Sequence, residues 1–126
     1  MGPLEEELNK LRDKYPGLAA TQLPSGATLI RIPAIALPAG WSKPSTSVTF
    51  IAPQGYPFAA PDCFWADSDL RVDNNAMPQN AQMNAIPETP ETTLWFSWHL
   101  SQPWNPNRDS LFTWMGVILQ RLNRAA

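Results

Sequence analysis

The chain has 126 residues and a formal net charge of −2, which allows one domain with a real core and gives no basic surface for nucleic acid or anionic lipid. A single cysteine, Cys63, and a single histidine, His99, exclude an internal disulfide and a structural zinc site. The acidic start Met1–Glu7 is unlike a signal peptide, and no run of about 18 apolar residues could span a membrane, so a cytoplasmic single domain over residues 1–126 is expected, with no cofactor or metal.

Leu4, Leu8, Leu11 and Tyr15 recur at helical steps and predict an N-terminal helix, ended by Pro16-Gly17. Fourteen prolines then limit the middle of the chain to short strands. Residues 27–32, 47–51 and 63–65 read as those strands, forming an antiparallel meander. Gln54–Pro61 is a compact turn between the second and third. From Asp67 to Thr93 the periodicity fails, and asparagines and prolines predict one long irregular loop, a feature usually tied to function. Leu111, Trp114, Met115, Ile118, Leu119 and Leu122 mark one face of a C-terminal amphipathic helix, with Asn107 or Asp109 available to cap it. The order predicts an α+β domain.

Gly55-Tyr56-Pro57-Phe58-Ala59-Ala60-Pro61 is similar to the Tyr-Pro-x-x-x-Pro signature of ubiquitin-conjugating (UBC) enzymes, and Trp104-Asn105-Pro106 before a long helix is similar to their Trp-x-Pro. Within that superfamily the chain resembles family E of the prokaryotic UBC-like proteins. The residues that carry this are Ala60-Pro61-Asp62-Cys63-Phe64-Trp65 and the set Trp95, Ser97, His99, Trp104, Pro106, Asp109 and Leu111. The resemblance implies a UBC-like fold whose long loop belongs to the active site. It also implies a conjugating transferase that takes a ubiquitin-like modifier from an adenylating activating enzyme and passes it to a target amine. The His-Pro-Asn oxyanion motif of the superfamily is missing, and Asn74, Asn75 and Asn80 are its possible substitutes. No thiol stands where the superfamily keeps its catalytic cysteine, just upstream of Trp104.

At that position the segment offers Ser97 and His99. A serine hydroxyl needs a base before it attacks, and imidazole suits that task near neutral pH. In an extended segment residues two apart share a side, with Cα atoms about 6.5 Å apart. Ser97 is therefore expected as acyl acceptor, through an oxyester, and His99 as its base or orienter. Cys63 is the alternative nucleophile, although Phe64 and Trp65 beside it suggest a strand residue. Trp98 and Trp104 can supply an aromatic partner surface or pack within the fold. The second reading is a non-catalytic UBC-variant domain that binds the modifier or its activating enzyme through this face.

Overall fold

The computed structural model describes residues 3–126; Met1 and Gly2, the start of the acidic stretch, lie outside the described residues. Helix α1 (Pro3–Lys14) precedes strands β1 (Ala19–Gln22), β2 (Thr28–Ala36), β3 (Ser45–Ala52), β4 (Phe64–Ala66), β5 (Ala81–Ala85) and β6 (Thr92–Phe96), and α2 (Leu111–Leu122) follows. All six strands join one antiparallel sheet in the order β1-β2-β3-β4-β6-β5. The predicted helix–strands–helix order is present. None of the helices among the described residues is long and apolar enough to cross a membrane.

Strand alternation decides which residues meet the helices. Ile30, Ile32, Val48, Phe50, Phe64, Ala66, Leu94 and Phe96 turn to one face and bury against Leu8 and Leu11 of α1 and Leu111, Trp114, Met115, Ile118 and Leu122 of α2. Phe64 and Phe96 stack across β4 and β6 with ring centroids 4.8 Å apart. A register shift between Ile32 and Ile35 takes up Pro33 and lets Ile35 rejoin the core face. α1 stops where Gly17 adopts φ 92°, a conformation that costs glycine little.

The other sheet face carries a smaller core of Leu23, Ala27, Leu29, Trp65 and Ile86, with Ile51, Cys63 and Trp95 packed around it. Ile86 comes from the turn joining β5 to β6. That turn is held over the sheet by Glu88, whose carboxylate accepts from the Ser25 backbone N–H (2.9 Å) and hydroxyl (2.6 Å).

Two expectations need correction. Residues 67–93 are not one irregular loop: a 3-10 turn at Asp73–Asn75 and the hairpin β5–β6 interrupt them. The hairpin escaped the pattern because β5 is an edge strand, exposed at four of its five positions, and its short alternation of Ala81, Met83 and Ala85 holds no β-branched or aromatic residue. Likewise α2 is capped by neither Asn107 nor Asp109. Ser110 is its N-cap, in a capping box with Thr113. Asp109 instead closes the preceding turn, accepting from the Asn105 N–H at 2.8 Å.

Candidate functional site

The segment that follows β6 is fixed from three directions. Its first residue, Ser97, donates its backbone N–H to the Asn80 carbonyl at 2.8 Å, one step beyond the Ala81–Phe96 pair, so it prolongs the β5–β6 ladder. Trp98 packs against the main core, with the Arg121 guanidinium 5.7 Å from its ring. His99 reaches back to the residue before Cys63: its Nδ1 is 2.9 Å from both the carbonyl oxygen and the carboxylate Oδ1 of Asp62.

The structure brings Ser97, His99 and Asn80 into one neighbourhood. No hydrogen bond joins the Ser97 and His99 side chains among the described residues. His99 and Asn80 line a cavity of about 500 Å³, together with Trp98, Arg121 and Arg124. Gly116 of α2 opens onto it, since a Cβ there would meet nothing within 4 Å. Asn74 and Asn75 belong to the 3-10 turn instead, where Asp73 donates to the Gly40 carbonyl and Val72 bridges Trp41. Asn74, Asn75 and Asn80 all have positive φ, a conformation asparagine tolerates better than most residues.

Cys63 lies across from this segment on the outer sheet face, half-buried against Trp65 and Trp95. Burial pushes its thiol up and the neighbouring Asp62 charge adds to the rise, outweighing a hydrogen bond from Trp95. The thiol is thereby kept protonated and weakly nucleophilic.

Trp104 closes the far side. Its indole N–H donates to the Pro57 carbonyl at 2.7 Å, and its ring lies 6.0 Å from that of Tyr56. The Tyr56 hydroxyl donates to the Glu7 carboxylate, which also accepts from the Leu111 N–H at 2.8 Å. Burial, then the Glu7 hydrogen bond, raise the Tyr56 pKa and keep the phenol protonated. The Tyr-Pro turn, α1 and the start of α2 thus share one carboxylate, and Trp104 is half-buried against that junction.

Sequence reasoning missed two participants. Asp62 stands 37 residues from His99, and no local pattern announces their contact. Arg121, in the last turn of α2, is buried and donates to the carbonyls of Gln79, Arg124 and Ala126. Burial is the main cause that lowers its pKa.

A family model described as prokaryotic E2 family E matches residues 16–125, so α1 falls outside the matched stretch. No curated protein and no solved structure matches the chain.

Proposed function

Because this chain belongs to prokaryotic E2 family E, we propose that it accepts an activated ubiquitin-like modifier on Ser97 as an oxyester and passes it to an amine of a target protein. Membership supports ubiquitin-like conjugation as the general task, with a modifier protein and an adenylating activating enzyme as partners. The serine chemistry is our reading. One observation carries it: Ser97 stands two residues before His99, just upstream of Trp104-Asn105-Pro106, and the only thiol in the chain has its ionisation opposed.

In the first step the Ser97 Oγ attacks the carbonyl carbon of the modifier's C-terminal residue, activated as an adenylate or a thioester. An Oγ–C bond forms, the bond to the leaving group breaks, and the Oγ proton passes through His99 to that group. In the second step the target amine attacks the same carbon. An amide forms, the Oγ–C bond breaks, and the serine regains a proton. We assign Asn80, bonded to Ser97 through its carbonyl and lining the same cavity as His99, as the side chain that steadies the oxyanion. Trp98 and Trp104 frame the surface that receives the modifier or its activating enzyme.

The test mixes the protein with its activating enzyme, modifier and ATP and examines it by mass spectrometry. A denaturation-resistant adduct that breaks with hydroxylamine and is lost in Ser97→Ala is the expected result. The second reading, a non-catalytic variant that only binds the modifier, draws on the missing hydrogen bond between Ser97 and His99. A wild-type protein that binds modifier and never forms an adduct selects it.

A further inference from the structure

The contact between His99 and Asp62 joins the two segments that carry the family resemblance, and neither segment taken alone implies it. A peptide carbonyl can only accept a hydrogen bond. The Nδ1 of His99, 2.9 Å from the Asp62 carbonyl oxygen and 2.9 Å from its Oδ1, must therefore carry a proton and donate it. In a neutral ring the lone pair is then on Nε2. We propose that Asp62 is the positioning residue of the transfer reaction, its two oxygens fixing the His99 tautomer that leaves Nε2 as the base for Ser97. This rests on the serine reading above.

The chemistry explains why a carboxylate matters in addition to the carbonyl. As the Oγ–C bond forms, the serine proton moves to Nε2 and the ring becomes an imidazolium. Its other N–H already faces the Asp62 carboxylate, which stabilises the new cation and takes up no proton itself. When Nε2 hands the proton to the leaving group the ring is neutral again, ready for the second step. The two side chains are 58% and 82% exposed, so the pair contributes little to fold stability. Substitutions at residue 62 should leave the domain folded and act on the chemistry.

His99 is the only histidine, so the ¹⁵N resonances of its ring read the tautomer without ambiguity. The wild type should show the Nδ1–H form, and Asp62→Asn should keep it, because the backbone carbonyl remains. Asp62→Asn should nevertheless slow adduct formation by about 10- to 100-fold, the usual cost of losing a group that orients a histidine. Asp62→Glu should recover part of the rate. In the Ser97→Cys background the Asp62→Asn change should cost less than about threefold, since a partly ionised thiol leans less on a base.

An Nε2–H tautomer in the wild type overturns the proposal, as does an Asp62→Asn protein with the wild-type rate. Equal losses in the serine and cysteine backgrounds also overturn it, because they mark Asp62 as merely structural. Each of these can occur while the adduct still depends on Ser97, and then the serine reading stands. If Ser97→Ala forms adduct as well as the wild type does, the serine reading itself fails.

Discussion

At Cys63 the surroundings oppose ionisation: an apolar sheet face on one side, the Asp62 charge on the other. Cys63→Ala should therefore leave adduct formation unchanged and lower stability by only about 1 kcal/mol. Complete loss of adduct from a folded Cys63→Ala protein would move the active site there. Asp67 is the opposite case. Burial works to raise its carboxyl, but hydrogen bonds from Lys43 (2.6 Å) and Ser47 prevail and hold it below the usual carboxylate range. A carboxyl depressed in the folded state stabilises above its unfolded pKa of about 3.9, and that stability disappears as pH falls through the folded value. Asp67→Asn should cost about 1 kcal/mol near neutral pH in urea titrations, with the gap to wild type closing as pH falls below the usual carboxylate range. A gap that persists in acid means the loss is packing and not charge. Ser97 and His99 drew attention together because they are neighbours in sequence, whereas the pairing of Asp62 with His99 was not legible, since only the folded sheet brings them together.

Helix α2 is the element most fully written in the sequence: of the six residues expected on its buried face, Leu111, Trp114, Met115, Ile118 and Leu122 are buried and only Leu119 is partly exposed. Trp114 is completely buried, and its indole N–H has no hydrogen-bond partner among the described residues. Trp114→Ala should lower stability by about 3–5 kcal/mol, read from chemical denaturation, while Trp114→Phe should cost far less because it keeps much of the buried ring and removes a donor that has no partner. Similar losses for both would mean that the indole N–H has a bonded partner in solution. Arg121, on the same helix, defeats pattern reading, because a cation held by three backbone carbonyls leaves no trace in hydropathy. Arg121→Ala strands those carbonyls and should cost about 2–4 kcal/mol by the same measurement. The hairpin β5–β6 was invisible for another reason. Its outer strand is exposed and lacks β-branched and aromatic residues, so little distinguishes it from loop until the partner strand, Thr92–Phe96, is placed.

Across the whole molecule, the sheet divides the chain's apolar residues between a large core under the helices and a small one beneath the Ile86 turn. The first was predictable from two amphipathic helices and the β-rich runs. The second was not, since it depends on the Glu88–Ser25 clasp between residues 63 apart. The carboxylate of Glu7 also limits where this domain can be cut. The family match begins at residue 16, which invites an expression piece that starts there. Such a piece would expose the core surface that Leu8 and Leu11 cover and would take the shared acceptor from both Tyr56 and the first turn of α2. Residues 16–126 alone should bind a hydrophobic dye and lose near-ultraviolet dichroism while keeping much of their strand signal. Adding back a peptide of residues 1–15 should restore the native signal, with Glu7→Gln peptide doing so less tightly. The smallest self-sufficient unit is then longer than the family's outline, and its first helix is a structural part rather than a dispensable leader.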